Sequence, residues 1–194
     1  MGNLVVQQFV TADGFAADAD NEFTAYELLE GGTAELDRSQ ADWLDSVDAM
    51  VLGARTYRMF VGYWPTPAAA GEIITAPLNA LRRHVFSRTL QHAPWGEQEA
   101  ATVESGDAVD AIRRIKAETD GLVVLWGSLS LSDTFFAAGE VDEVRLVILP
   151  VVIGAGRGAF PAAGDPRILD LQAARTFDRG LVELHYAVRP APEW

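Results

Sequence analysis

Short apolar runs, each closed by a glycine, a serine or a polar turn, alternate along this chain with segments of helical period. Asn3 to Val10 reads as a strand, apolar at Leu4, Val5, Val6, Phe9 and Val10, and it stops at Thr11-Ala-Asp-Gly14, where Asp13-Gly14 signals a turn. The acidic and small residues that follow, to about Gly32, predict a long loop of the kind that serves as a lid. From Thr33 a helical spacing sets in, with Leu36, Ala41, Trp43, Leu44 and Val47 on roughly one face. Asp48 to Gly53 is a short apolar strand, Ala54 to Phe60 begins a short helix, and Tyr63-Trp-Pro-Thr-Pro67 must be irregular because two prolines break regular pairing.

In the second half, Arg83 to Ser87 predicts a third strand and Thr102 to Ser105 a shorter fourth. Asp107 to Glu118 is the cleanest helix, capped by Asp107, with Val109, Ile112 and Ile115 on one face and Arg113, Arg114 and Lys116 beside them. Leu122-Val-Val-Leu-Trp126 has no polar alternation, which is what a parallel strand covered on both faces shows. Ser128 to Ala138 reads as a helix, and Glu143 to Ile153 as a long strand in which Pro150 marks an edge, a bulge or a bend. Gly154 to Gly158 is a glycine-rich connection, and Arg167 to Phe177 with Leu181 to Val188 predicts a closing β-hairpin turning at Asp178-Arg-Gly180. This alternation predicts an α/β fold with a mostly parallel sheet, flanking helices and antiparallel strands at the carboxyl end.

Length and composition change the picture in three places. The 194 residues, 49% apolar and 22% charged, suit one globular domain spanning 1–194. Fifteen Lys and Arg against 28 Asp and Glu leave a net charge of −13, so a broad phosphate-binding surface and nucleic acid as a partner are not expected. Cysteine is absent, which excludes thiolate catalysis and Cys-ligated metal. The start MGNLVVQQFV has no basic flank and no apolar run reaches about 18 residues, so neither an export signal nor a membrane span is expected. A cytoplasmic protein fits these features.

Three strand ends share one design, an apolar strand, then Gly or Ser, then the start of a helix or turn: Leu52-Gly-Ala-Arg-Thr56, Phe86-Ser-Arg88 and Trp126-Gly-Ser128. Helix starts offer unpaired N–H groups and the positive end of a dipole, so they hold phosphate with few formal charges. Open α/β sheets place ligands at the carboxyl ends of their strands, so the three segments can converge on one crevice. Arg55 and Arg88 would supply cations there, and Thr56, Ser87 and Ser128 hydroxyls. The plain alternative is that Gly53 and Gly127 are tight turns and the arginines are solvated.

Other candidates carry less. Gly154 to Gly158 opens no helix, so it is not a dinucleotide fingerprint. His84, His92 and His185 share no ligand spacing, and Ser128, Ser130 and Ser132 sit in no nucleophile elbow, so neither a metal centre nor a hydrolase triad is expected. Tyr57 and Phe60 read first as core, whereas Trp64, between Tyr63 and Pro65, reads equally as core or as a wall for a flat ring.

Taken in order, Thr11-Ala-Asp-Gly14, Leu52-Gly-Ala-Arg-Thr-Tyr57, Tyr63-Trp-Pro65, Val85-Phe-Ser-Arg-Thr-Leu90, Trp126-Gly-Ser128, Val141-Asp-Glu143 and Leu149-Pro-Val-Val-Ile-Gly-Ala-Gly156 with Phe160 resemble the RibD C-terminal-like domains. These are relatives of the reductase half of the bifunctional riboflavin-biosynthesis deaminase-reductases, within the dihydrofolate reductase-like superfamily. The resemblance covers about residues 3–188 and implies a site for NADPH, a small-molecule substrate and frequently a homodimer. It implies that Gly53, Arg55 and Thr56 hold cofactor phosphates, that Ser87 and Arg88 lie near the adenosine 2′-phosphate, and that Trp126, Gly127 and Ser128 form the second phosphate-binding turn. Ala12, Asp13 and Gly14 match the edge of the loop over nicotinamide and substrate, with Asp13 a proton donor or orienter and Phe60 and Trp64 a substrate wall.

Two departures stand out. Ala54 replaces a frequent Arg, and Leu129 a frequent Gly. They motivate a second expectation, a non-catalytic nucleotide-binding or interaction module on the same fold. A deaminase half with its zinc ligands is not expected within these residues.

Overall fold

The structure, a computed structural model, describes residues 1–29, 33–164 and 166–189. Nine strands form one sheet in the order β10 (Leu169–Thr176), β11 (Val182–Val188), β8 (Glu143–Leu149), β1 (Asn3–Thr11), β7 (Leu122–Trp126), β3 (Val47–Gly53), β4 (Arg82–Phe86), β6 (Gln98–Glu104), β5 (Ala93–Trp95). Strands β8, β1, β7, β3, β4 and β6 run parallel, so six carboxyl ends lie along one edge. The antiparallel members are the terminal hairpin β10–β11 and the short β5. The expected α/β class and closing hairpin are both present.

The apolar runs alternate between two cores. Ala49, Val51, Val123 and Leu125 face helices α4 (Ala108–Ala117) and α5 (Leu129–Ala137), packing on Ile112, Ile115 and Phe135. Their neighbours Met50, Leu52, Val124 and Trp126 point the other way, against Leu44 of α1 (Ala34–Leu44), Tyr57 of α2 (Ala54–Val61) and Leu78 of α3 (Thr75–Ala80). Burying each such side chain stabilises by roughly 1.5–3 kcal/mol, which is why polar alternation is missing from β7. Asp107 caps α4 as expected, accepting from the N–H groups of Val109 and Asp110.

Three readings need correction. The strand expected to run to Ile153 stops at Leu149, because Pro150 has no N–H to continue pairing. The long loop after Gly14 contains a three-residue strand, β2 (Phe15–Ala17), paired with β9 (Arg157–Gly158), and a 3-10 turn at Thr24–Leu28; its last residues, 30–32, lie outside the described residues. The helix α3 and the strand β5 fall where no element was expected. No helix among the described residues is long and apolar enough to cross a membrane.

Candidate functional site

The carboxyl ends of β3 and β7 interlock. Gly53 N donates to Ser128 Oγ at 2.7 Å, and that oxygen lies 3.0 Å from Thr56 Oγ1. Ser128 and Thr56 are therefore used first on each other, leaving one hydroxyl proton between them to give outward. The approach requires glycine twice: a Cβ on Gly53 would lie 2.9 Å from Ser128 Oγ, and one on Gly127 2.9 Å from Thr56 Oγ1. Gly127 and Ser128 both adopt positive φ, 55° and 49°, which turns the chain sharply into α5.

Helices α2 and α5 both start at this junction, and neither has a side-chain cap. The contrast is with α4, whose first-turn donors are taken by Asp107. At α5, Leu131 N and Ser132 N already bond to Ser128 O, so the donors its start leaves without an intrahelical partner are the first two, and the positive ends of the two helices meet at this junction. Leu129 packs among Val10, Ala16 and Ala159, which leaves its backbone N–H at the helix start.

Of the two expected cations, Arg55 is exposed and forms an ion pair with Glu22 from the loop after β2. Both side chains are more than half exposed, so the pair is screened and contributes little. Arg88 is exposed and forms no ion pair among the described residues. Ser87 follows Phe86, the register partner of Gly53, so it lies beside the junction; its Oγ accepts from Thr89 N and Leu90 N and shapes the turn that carries Arg88.

Beyond β1, Ala12 N donates to Val151 O at 2.8 Å, and Asp13 accepts from Thr11 Oγ1 at 2.6 Å, Gly154 N at 2.8 Å and Ile153 N at 3.2 Å. The Thr11 hydroxyl first, then the two backbone donors, hold the Asp13 carboxyl below its usual range. An anchored carboxylate fits the orienting role expected for Asp13 and not proton donation. Gly14, at φ 86°, completes the turn. The glycine-rich segment is thus clasped to the first turn, not a free connection. A depressed carboxyl contributes stability above its unfolded pKa that is lost as pH falls through that range. Asp13→Asn is therefore expected to abolish a loosening below about pH 4 of residues 11–14 and 151–154, read by hydrogen exchange in both proteins.

Near the carboxyl end of α2, Phe60 packs 5.7 Å from Trp126 and 6.2 Å from Trp64, so the two residues expected as a wall do come together. Both also pack against the apolar core on that face, which is the core reading of these residues. Trp64 is pinned by Asn79 Nδ2 donating to its carbonyl. On the neighbouring strands β1 and β7, Gln7 and Trp126 are register partners, and Phe9 lies two residues on, 5.9 Å from Tyr26. Gln7 accepts from Trp126 Nε1 and donates to Gln40 on α1, which donates to Glu183, the partner of Arg145. Tyr26 OH lies 2.8 Å from Thr33 Oγ1, which donates to Asp37, and Glu72 accepts from Tyr63 OH. None of Gln7, Tyr26, Asp37, Gln40 or Glu72 was singled out in the sequence, although Asp37 lies in the first turn of the helix predicted from Thr33.

His84 and His185 pair with Glu104 and Glu143, and among the described residues no group of three or more His, Asp or Glu could hold a metal ion. The family model for the RibD C-terminal domain matches residues 3–182. This chain belongs to that family.

As a RibD C-terminal domain it is similar to the uncharacterized protein YyaP of Bacillus subtilis, 26% identical over 186 residues, 94% of this chain and 93% of that protein. A second Bacillus subtilis relative, the uncharacterized protein YwjB, is 25% identical and covers 91% of this chain and 92% of that protein. Among solved structures, RibD of Acinetobacter baumannii superposes at a TM-score of 0.68 and 15% identity, over 97% of this chain and 58% of that longer one. Dihydrofolate reductase of Enterococcus faecalis, in a complex with NADP(H), superposes at 0.61 and 13% identity over 97% of this chain and 98% of that one. These superpositions establish that the RibD C-terminal domain described here has the dihydrofolate reductase-like fold, which reductases share.

Proposed function

We propose that this domain is an NADPH-dependent reductase acting on a C=N or C=O bond of a small, flat heterocycle or sugar-linked pyrimidine. The observation that carries the reading is the pair of uncapped helix starts locked together by Gly53, Thr56, Gly127 and Ser128. A dianionic linker fits this cradle because backbone donors and helix dipoles supply the attraction that a chain of net charge −13 cannot. NADPH, when bound, supplies a hydride at nicotinamide C4.

This chain's residues bind and orient. The first-turn N–H groups of α2 and α5 hold phosphate, Arg55 exchanges Glu22 for it, and Arg88, carried on the Ser87 turn, holds the 2′-phosphate. Ala12, Gly14 and the anchored Asp13 form the edge of the loop over the reacting end. Phe60, Trp64 and Trp126 wall off a flat ring and exclude water. A homodimer and a cytoplasmic location are proposed with it on family grounds.

The test is binding. NADPH is expected to give a saturable fluorescence change and a thermal shift, and absence of both at millimolar NADPH would contradict the reading. In Arg88→Ala the preference for NADPH over NADH is expected to fall about tenfold, the loss of one charge-assisted contact of roughly 1.4 kcal/mol. An unchanged ratio would remove Arg88 from the 2′-phosphate. Binding with no oxidation across pterins, aminouracil ribosyl or ribityl phosphates and quinones would instead favour a non-catalytic nucleotide-binding module.

A further inference from the structure

Gln8 lies on the central strand β1 and is only 4% exposed, yet its amide reaches past the end of β7, where Nε2 donates to Gly127 O at 2.7 Å. A carbonyl only accepts, so the nitrogen end of the amide is fixed there. The bond holds a peptide that has two resting orientations. Gly127 and Ser128 follow one another at φ 55° and 49°, the pattern of a type I′ turn, in which both central residues are left-handed. Half a turn of the Gly127–Ser128 peptide gives the type II′ form, which keeps the positive φ on glycine and returns the serine to negative φ. Glycine accepts both forms, and serine favours the second. Gln8 opposes that preference, because the observed form is the one in which the Gly127 carbonyl faces β1.

The other side of the same peptide faces a different strand. No described peptide bond is cis, so the Gly127 C=O and the Ser128 N–H point in opposite directions. The sheet order places β1 on one side of β7 and β3 on the other. With Gly127 O drawn to β1, Ser128 N–H is turned to the β3 side, where Gly53 ends the strand and α2 starts. The remaining polar atoms of Ser128 are occupied. Its carbonyl accepts from Leu131 N and Ser132 N, and its Oγ accepts from Gly53 N and lies 3.0 Å from Thr56 Oγ1. As the residue before α5 it has no intrahelical acceptor for its N–H, and none occurs elsewhere among the described residues.

We infer that Gln8 is a positioning residue for the cofactor, holding the Gly127–Ser128 peptide so that Ser128 N–H, beside the start of α2, is presented to the pyrophosphate. This rests on the NADPH-dependent reading above. A flipped peptide would set the Gly127 carbonyl oxygen on the phosphate side, exchanging a charge-assisted donor for a repelling dipole. Gln8 fixes the orientation before the ligand arrives, so binding requires no reorganisation of the turn.

The test reads this one peptide. Gly127-Ser128 is the single Gly-Ser pair in the chain, so protein made with carbonyl-carbon-13 glycine and nitrogen-15 serine gives one correlated amide signal. In the parent, saturating NADPH is expected to shift the Ser128 amide proton downfield and to slow its exchange with water. Gln8→Met keeps the length of the side chain and removes the donor. Its Gly127 carbonyl carbon is expected to move upfield, or to split between two forms, before any ligand is added, and its NADPH Kd is expected to rise at least about tenfold. A Gln8→Met protein with the parent's carbonyl signal, or with the parent's NADPH Kd, would overturn the positioning role whatever its melting temperature. Should Gln8→Met not fold, the parent decides: a Ser128 amide left unmoved by bound NADPH would overturn the inference while the cofactor reading stands. Failure of the parent to bind NADPH would instead overturn that reading, and with it the role assigned to Gln8.

Discussion

Replacing Glu183 with alanine is expected to cost about 3–5 kcal/mol, because it strands a buried arginine. Arg145 and Glu183 side chains are only 5% and 3% exposed, and their 2.6 Å bond is the one ion pair of that guanidinium among the described residues. Arg145 lies 3.9 Å above the Trp43 indole, its Nε already lacks a partner, and burial lowers its pKa. Gln40 would lose its acceptor in the same substitution. For a domain of this size roughly 2–4 °C accompany each kcal/mol, so the melting temperature is expected to fall on the order of 10 °C. The double replacement Arg145→Met with Glu183→Leu is expected to recover most of the loss, since a buried ion pair and an apolar pair of similar volume are often equivalent. Urea unfolding across the double-mutant cycle checks this, and a cost below about 1 kcal/mol for Glu183→Ala would mean the pair is solvated. The effect reaches the site because Gln40, Gln7 and the Trp126 indole complete the same buried chain.

Gly127→Val is expected to raise the NADPH Kd at least tenfold and to cost about 1–3 kcal/mol of stability. At φ 55° a β-branched residue is strained whatever the space around it. The space is absent as well, since the new Cβ would lie 2.9 Å from Thr56 Oγ1 and push the start of α2 away from that of α5. In the proposed site cofactor affinity depends on both helix starts meeting one ligand, so a shift of a few tenths of an ångström is expected to act on binding more than on folding. Gly71→Ala is the control: its Cβ would meet nothing within 4 Å, and both quantities are expected to stay unchanged. Calorimetry with NADPH and thermal unfolding of both variants separate the two effects. Wild-type affinity in Gly127→Val would show that the junction does not hold the cofactor.

Legibility in the sequence followed the range of the forces involved. Leu122 to Trp126, Asp107 with its helix, and the Asp178-Arg-Gly180 turn are local signals, and each became the element expected. The junction was half legible. Gly53, Thr56, Gly127 and Ser128 were picked out as strand ends, but that Ser128 and Thr56 are spent on each other depends on a 72-residue separation that no local pattern encodes. Six-residue α3 lacks a side-chain cap, and β5 carries Pro94 at a sheet edge, so neither left a periodic trace. The long-range hydrogen-bonded chains were least legible. Gln40 meets Gln7 across 33 residues and Glu183 across 143, and Tyr26 and Thr33 sit in a stretch without period. The acidic balance warned against anionic partners in general, but net charge does not count backbone N–H groups such as those at the uncapped starts of α2 and α5.

The most direct test of the cofactor site is a crystal structure of this chain with NADPH. The pyrophosphate is expected within hydrogen-bonding distance of the backbone N–H groups at the starts of α2 and α5, with the 2′-phosphate at Arg88 and the nicotinamide beside the Asp13 turn. A cofactor seated anywhere else, or none at the starts of α2 and α5 at saturating NADPH, would contradict it.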